Sequence, residues 1–350
     1  MRIAVVRNQP SDEVIFRSAK PCPERYGRRT IRAVVEALEQ SGHVVSAVAG
    51  GTTMLAELAA FLGRDEPDGA DALVMNMAYG IQGDSRYTHV PAMLEMAGVP
   101  YTGAGPLGHA VSLDKVVAKA LMADFGIPTP RSRVMSSGSD GAGLVFPLVV
   151  KPRHESTSYG LRLVRDAGEL GLAVEAIVAT YRQEALVEEY VDGREVCIGL
   201  LGNDPPEILP PVELDFGERP LRIMTWDDKY HRRADEPAKI CPAPLSRRLR
   251  DEVSRLALAT FEACHARDYA RVDIRIDDSG RPFVLEINSM ASLGMNGSFV
   301  HAAREAGMSY RDLVARIIEV AAGRSRRSEP PPLTGGDDPD LEPEAIAVPG

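Results

Sequence analysis

No two cysteines of this chain lie close enough in sequence to form a metal clip. The four, Cys22, Cys197, Cys241 and Cys264, are widely spread without a CxxC pair, which argues against a zinc or disulfide framework and for reduced thiols in a cytoplasmic protein. Long apolar runs are missing as well. The opening Met1–Arg7 is too short for a signal peptide, and no segment is expected to span a membrane. There is no GxxxxGK(S/T) sequence, which excludes a P-loop nucleotide site. Basic residues do not exceed acidic ones; the net charge of −10 leaves no electrostatic footprint for nucleic acid. No long internal repeat is found.

The composition that remains is ordinary for a soluble globular protein, with 44% hydrophobic and 26% charged residues. A chain of 350 residues predicts two or three domains. The first hundred residues alternate strand and helix: Arg2–Val6 a buried strand, Arg28–Gln40 a helix closed near Gly42, Val44–Val48 and Asp71–Asn76 further strands, Pro91–Ala97 a helix and Val99–Tyr101 a short strand. That order implies a parallel sheet with helices against it. Ser112 is read as the cap of a helix running to about Phe125, stopped by Gly126-Ile-Pro-Thr-Pro130. A Gly/Ser-rich loop then precedes a strand ending at Lys151, a helix over Ala167–Thr180 and a strand over Ala185–Glu189. Strands dominate from Arg194 to a long helix at Ser246–Ala266, and a last helix over Tyr310–Ala322 carries Leu313, Ile317 and Ile318 on one stripe. Residues 324–350, rich in Arg, Pro, Asp and Glu, read as a disordered tail.

Residues 270–288 carry the strongest chemical signal. Two apolar runs flank Asp277-Asp-Ser-Gly280, a turn cluster that predicts an antiparallel hairpin. If Ile276 pairs with Arg281, Asp273 pairs with Val284 and Arg271 with Glu286. Period-two alternation then puts Arg271, Asp273, Glu286 and Asn288 on one face, with Val272, Ile274, Ile276, Phe283, Leu285 and Ile287 facing a core. Two carboxylates and an amide oxygen, with no His or Cys, suit a hard cation such as Mg²⁺ that also binds phosphate; a merely solvated polar face is the alternative. Lys151 ends a buried strand before the polar loop Pro152–Gly160, where its ammonium can meet a phosphate. Glu188 to Val191 end another strand before a tight turn, with Glu195 placed to accept from ribose hydroxyls. Gly103-Ala-Gly-Pro-Leu-Gly108 matches GxGxxG but comes after a very short strand and contains a proline, so it reads as a connecting turn.

Taken in order, Leu113-Asp-Lys115, Gly126-Ile-Pro-Thr-Pro130, Pro147-Leu-Val-Val-Lys-Pro152, Glu188-Glu-Tyr-Val-Asp-Gly-Arg-Glu195, Leu285-Glu-Ile-Asn288 and the segment from Ala303 to Leu313 resemble the D-alanine–D-alanine ligase-like family of the ATP-grasp superfamily, over about residues 70 to 322. The resemblance implies a mixed α/β and α+β fold: an N-terminal parallel α/β domain (1–111), then the two lobes of an ATP-grasp fold (112–191 and 192–323), before the tail (324–350). It implies ATP and Mg²⁺, two ions with Mn²⁺ as a substitute, as cofactors. Lys115 and Lys151 would contact the phosphates, Thr157 and Ser158 would close over them, and Glu188, Tyr190, Val191 and Glu195 would surround adenosine. Asp273, Glu286 and Asn288 match the metal ligands, and Lys229 matches the lysine of a mobile loop that reaches the γ-phosphate. Arg271 and the N–H of Gly294 would stabilise an oxyanion, and Ser298 would lie near the second substrate's carboxylate.

The implied reaction is ATP-dependent ligation of a carboxylate to an amine through an acylphosphate, on amino acids or peptides. It needs no side-chain nucleophile, so the scarcity of histidine is no objection. The departures concern substrate. The glycine-rich start with a catalytic glutamate is absent, with Ile15 near that position. A tyrosine, Tyr79, stands for a histidine in Tyr79-Gly-Ile-Gln-Gly-Asp-Ser-Arg86, and Asn288 to Ser298 is one residue longer; apart from these, the loop expected to close over the phosphates has Ser156 where a glycine is usual. A substrate other than D-alanine is therefore expected, with Tyr79, Arg86 and the basic run Arg25–Arg32 as candidates for recognising a carboxylate. A true D-alanine–D-alanine ligase and a nucleotide-binding regulatory protein without turnover are the other readings. The oligomeric state stays open, a homodimer being common in such ligases.

Overall fold

The computed structural model describes residues 1–8, 14–16, 19–63, 72–139, 143–226, 228 and 237–327. Strand β1 (Arg2–Arg7), helix α1 (Arg28–Gln40), β2 (Val44–Ala49), α2 (Met54–Leu62) and β3 (Ala72–Met77) form a parallel sheet of order β2-β1-β3. Ile3 and Val5 pack towards α1, while Ala4 and Val6 pack towards α2. Both faces of β1 are covered, which is why it reads as one apolar run rather than an alternation. Helix α2 had no counterpart in the sequence reading; α3 (His89–Met96) did. The expected strand at Val99–Tyr101 is reduced to a parallel bridge between Val74 and Tyr101.

The helix expected from Ser112 is two helices, α4 (Pro106–Leu113) and α5 (Lys115–Asp124). Ser112 is not a cap: it lies in the last turn of α4 and its hydroxyl donates to the Gly108 carbonyl at 2.7 Å. The cap is Asp114, whose carboxylate accepts from the Val116 and Val117 N–H groups at 3.0 and 3.2 Å. Arg153 grips the same carboxylate through Nε and NH2 at 2.8 and 2.6 Å. Asp114→Ala is expected to cost about 1–2 kcal/mol of unfolding free energy, the upper range for a lost N-cap. Denaturant titration with an unchanged midpoint would dispose of that role. Gly103 to Gly108 is a connecting turn, with Gly105 at the N-cap and Pro106 at the first helical position of α4.

Next come β4 (Ser132–Met135), β5 (Leu148–Pro152), β6 (Arg162–Val164), α6 (Ala167–Tyr181) and β7 (Ala185–Glu189), an antiparallel sheet of order β4-β7-β5-β6 backed by α6. A larger sheet comes after it: β8 (Arg194–Leu201), β9 (Glu207–Ile208), β10 (Val212–Asp215), β11 (Ala238–Ile240), then α7 (Arg247–Ala263), β12 (Tyr269–Ile276) and β13 (Pro282–Asn288). Its order is β11-β10-β8-β12-β13, with β9 on β8. Val253, Leu256, Ala257 and Phe261 of α7 bury one face of it. Helices α8 (Ser298–Glu305) and α9 (Tyr310–Arg327) close the chain's described part, and α9 packs on α1 through Leu313, Ile317 and Ile318.

Two expectations change here. The β12–β13 register contains a bulge: Asp273 pairs with Glu286 and Ile274 with Val284, so Leu285 is the extra residue, and Arg271 pairs with Asn288. Val284 therefore joins the core, whereas Phe283 lies opposite Arg275 and Leu285 turns to the cavity described below. A one-residue bulge reverses the face of the strand on its N-terminal side and leaves the C-terminal side in place. The second change is at the end: α9 runs through Arg327 rather than stopping near Ala322. Arg324 is tied by Nε and NH2 to the two oxygens of fully buried Asp268, each at 2.9 Å. Residues 328–350, most of the expected tail, lie outside the described residues.

Candidate active site

A cavity of about 750 Å³ opens between the two antiparallel sheets, with the N-terminal domain forming one wall. Lys115, Lys151, Thr157, Ser158, Glu188, Tyr190, Val191, Glu195, Arg271, Asp273, Glu286, Asn288, Gly294 and Ser298 all line it. Lys229 lies outside the described residues; its neighbour Asp228 is buried, held by Arg219 at 2.8 and 3.2 Å and by the Thr225 hydroxyl at 2.7 Å.

One end of the cavity is built on β5 and β7. Their antiparallel register brings Glu188 between two ammonium groups: Lys151 at 2.6 Å and Lys119 at 2.7 Å. Burial alone would raise the Glu188 carboxyl, but Lys119 and Lys151 outweigh it and hold it at about 2. Lys119, one turn after Lys115 on α5, was missed in the sequence because its partner Glu188 lies 69 residues away. Lys115 donates to the backbone carbonyl of Glu155, and burial pushes its ammonium down to about 8 against the opposing pull of Glu286. Between these lysines and solvent runs the loop Ser156–Ser158, in which Thr157 and Ser158 take φ of 55° and 60°. Left-handed backbone at a β-branched residue costs on the order of 1–2 kcal/mol, a strain that marks functional loops.

After β7 the chain turns at Gly193, where φ is +129° and an added Cβ would sit 2.1 Å from the Ile276 carbonyl oxygen. Only glycine fits, and the turn sets Tyr190 and Val191 on one side and Glu195 on the other. Arg275, also missed, holds this corner: it contacts Glu195 at 3.2 Å, donates to the Gly193 carbonyl at 3.2 Å, and lies over the rings of Tyr190 and Phe216 at 5.4 and 5.6 Å.

On the opposite side the β12–β13 bulge places Asp273 and Glu286 directly across from each other. Arg271 donates through Nε and NH2 to the two oxygens of Asp273, both at 2.7 Å, and Asn288 Nδ2 donates to one of them at 3.0 Å. Glu286 is half-buried, and among the described residues no hydrogen bond or ion pair occupies its oxygens. An oxygen-only donor set with one uncommitted carboxylate facing two lysines fits a hard divalent cation. Beyond it, the loop carrying Gly294 is pinned by tyrosines: Tyr26 hydroxyl accepts from the Leu293 N–H at 3.4 Å, and Tyr310 hydroxyl donates to the Leu293 carbonyl at 2.9 Å.

Arg86, a candidate for binding substrate, is 2% exposed and is consumed by protein carboxylates. Ile15 is fully exposed and far from any lining role, whereas Glu24 supplies a buried carboxylate to the wall. Tyr79 does line the cavity, stacked on Tyr26 with ring centroids 5.4 Å apart and 5.2 Å from Tyr87. Of the basic run, Arg25 and Arg29 reach the wall.

A family model described as D-ala D-ala ligase C-terminus matches residues 130–319. The chain belongs to the D-alanine–D-alanine ligase family. Within it, the chain is 31% identical to the D-alanine--D-alanine ligase of Cupriavidus necator over 293 residues, 82% of this chain and 85% of the relative. It is 48% identical over 329 residues, 93% of this chain and 98% of the other, to the uncharacterized protein y4sG of Sinorhizobium fredii. Among solved structures, the D-alanine--D-alanine ligase of Bacillus anthracis complexed with ATP matches with a TM-score of 0.73 at 21% identity, covering 94% of this chain and all of that one. The fold is that of the ATP-grasp ligases, an N-terminal parallel sheet and two antiparallel lobes. This family member is an ATP-dependent enzyme of the amide-bond-forming class, and the family uses ATP and a divalent metal. No helix among the described residues is long and apolar enough to cross a membrane.

Proposed function

We propose that this ligase joins an amino acid carboxylate to the amine of a second amino acid or a peptide, and that the pair is not two molecules of D-alanine. The observation carrying the reading is the convergence on one cavity of two buried lysines, an opposed Asp273–Glu286 pair and a carboxylate-held arginine. Lys115, Lys151, Thr157 and Ser158 would hold the phosphates of ATP, and Glu188, Tyr190, Val191 and Glu195 its adenosine. Asp273, Glu286 and Asn288 would hold Mg²⁺, two ions with Mn²⁺ able to replace them, which neutralises phosphate charge when bound. The substrate carboxylate oxygen attacks the γ-phosphorus and ADP leaves, giving an acylphosphate. The neutral amine then attacks the acyl carbon, its surplus proton passes to the departing phosphate, and the C–O bond to phosphate breaks as the amide forms. Arg271 and the Gly294 N–H would stabilise the intervening oxyanion, Ser298 would orient the acceptor's carboxylate, and Lys229 is the lysine assigned to the γ-phosphate. A closed cavity keeps water from the acylphosphate. A homodimer in the cytoplasm is the proposed setting.

Tyr79, stacked into the Tyr26–Tyr87 wall, supports a substrate other than D-alanine. The relatives named D-alanine--D-alanine ligase favour a second reading, in which it is the substrate. ADP release with MgATP across D- and L-amino acids, single and paired, with mass spectrometry of products, separates the two. Turnover with D-alanine alone to its dipeptide overturns the first reading; turnover only with another amino acid or with a peptide acceptor supports it.

A further inference from the structure

Arg86 is buried outside the cavity lining and is bonded to two carboxylates that belong to it, Glu24 and Glu155. It begins a short 3₁₀ turn, Arg86–Thr88, in the N-terminal domain. Its backbone is fixed by Gly80, where φ is +79° and a Cβ would lie 1.9 Å from the Arg86 carbonyl oxygen. The buried guanidinium then reaches in two directions. NH2 donates to Glu24 at 2.9 Å, on the segment that continues into Arg25 and Tyr26 of the substrate-side wall. The same nitrogen donates to Glu155 at 3.2 Å, and NH1 donates to the His154 carbonyl at 2.9 Å, both on the loop that continues into Thr157 and Ser158. Tyr87 donates to the other oxygen of Glu24. Gln183 donates to the second oxygen of Glu155 at 3.1 Å and to Asp84 at 3.1 Å, a parallel tie between loop and domain.

Two buried carboxylates thus share one nitrogen of one cation. Neither can lose it without being left charged in a low-dielectric site, so loop and wall are constrained to move together. Arg86 Nε is buried and is the one nitrogen of the guanidinium that holds no oxygen acceptor, although the neighbouring Cys22 thiol also interacts with the guanidinium. A rigid fork with such a prong can take one carboxylate onto Nε while NH2 keeps the other, so a second fully paired arrangement is open to it. An element with two satisfied arrangements is what transmits a shift from one site to another.

We propose that Arg86 is a positioning residue that transmits nucleotide occupancy of the Ser156–Ser158 loop to the Glu24–Thr30 wall where substrate binds. The proposal rests on the reading above that ATP phosphates contact this loop. Arg86 touches neither reacting atoms nor nucleotide in this role. Its effect is a coupling, of the usual roughly 5- to 150-fold size.

Backbone hydrogen exchange of the full chain, with and without Mg²⁺ and a non-hydrolysable ATP analogue carrying a β,γ-imido bridge, reads the coupling without knowledge of the substrate. In the wild type the analogue is expected to slow exchange at 153–160 and, by about fivefold or more, at 24–30. In Arg86→Lys, and in Glu155→Gln, which keeps the Arg86–Glu24 pair should loss of the buried guanidinium impair folding, slowing at 153–160 persists and slowing at 24–30 is lost. Equal slowing of both segments in the variants overturns the proposal, as does a wild type in which only the loop responds. Loss at both segments in both variants also overturns it, leaving Arg86 a purely structural role. Failure of the wild type to bind the analogue at all is a different result: it removes the ATP-site reading itself, and this coupling with it.

Discussion

Asp273→Asn together with Glu286→Gln is expected to lower ADP release by about 10³-fold or more while the chain stays folded. The size of the effect comes from charge. Transfer of a phosphoryl group concentrates negative charge between donor and acceptor, and its neutralisation by a bound cation is worth several kcal/mol, of which about 4 corresponds to 10³ in rate. The two single variants should differ in a way that tests the geometry. Asp273 is shared: Arg271 already holds both its oxygens at 2.7 Å, so Asp273→Asn removes a proposed cation ligand and also takes the paired carboxylate charge from a half-buried guanidinium. That variant should lose stability as well as rate. Glu286 holds no described partner, and its charge acts at a distance on Lys115 and Lys151. Glu286→Gln should therefore lose rate and divalent-metal dependence with little change in unfolding midpoint. A metal titration of ADP release alongside denaturant melts reads both. If the double variant ligates at wild-type rate, the cation site is elsewhere.

The same hairpin marks how far a sequence can be read. Arg271, Asp273, Glu286 and Asn288 fell on one face by simple alternation, and they share a face in the structure. The pairing that brings Asp273 opposite Glu286 was not legible, because it depends on one bulged residue, Leu285, and nothing in an apolar Val-Leu pair says which of the two is extra. Gly193 is a similar case in reverse: its sequence context gave the turn, and the contact with Ile276 explains why only glycine serves there. What alternation and turn chemistry cannot supply are contacts of long sequence separation. Glu24, Tyr87, Arg86 and Glu155 meet across 62 to 69 residues, and Lys119 reaches Glu188 across the first lobe. Charged residues scattered through loops look solvated until the fold brings them together. Arg86 was misassigned for that reason: a cation in a substrate-like motif suggested an open site, and its two buried carboxylate partners were invisible. Around β5 and β7, where motif order is strong, family resemblance named residues that all line one cavity; it was weakest at the N-terminal wall, where this chain departs from it.

Glu188→Gln is expected to be the most destabilising single change at the β5–β7 end of the cavity, and its pH signature identifies the cause. The carboxylate is 3% exposed, with ammonium groups 2.6 and 2.7 Å away. Removing the charge leaves Lys119 and Lys151 facing each other in a buried site, a loss of about 3–5 kcal/mol for breaking a buried pair on one side. The sign of the pH effect is fixed by the direction of the shift. The folded carboxyl, held at about 2, lies below its ordinary 4.5. Its contribution, about 3 kcal/mol, is present in full above pH 4.5 and disappears as the pH falls towards 2, where the folded state must also protonate. Asp114, held at about 2 from an ordinary 3.8, titrates in an overlapping window, so Glu188→Gln should flatten the acid limb of the stability curve without abolishing it. Near neutrality, nucleotide affinity should fall too, since a lysine relieved of its counter-ion gives up its proton more readily and meets phosphate as a weaker charge. Urea titrations from about pH 7 down to about pH 2 compare variant and wild type directly. An acid limb unchanged by the substitution would mean that Glu188 is not ionised by its two lysines, and with that the electrostatic account of this end of the cavity would fail.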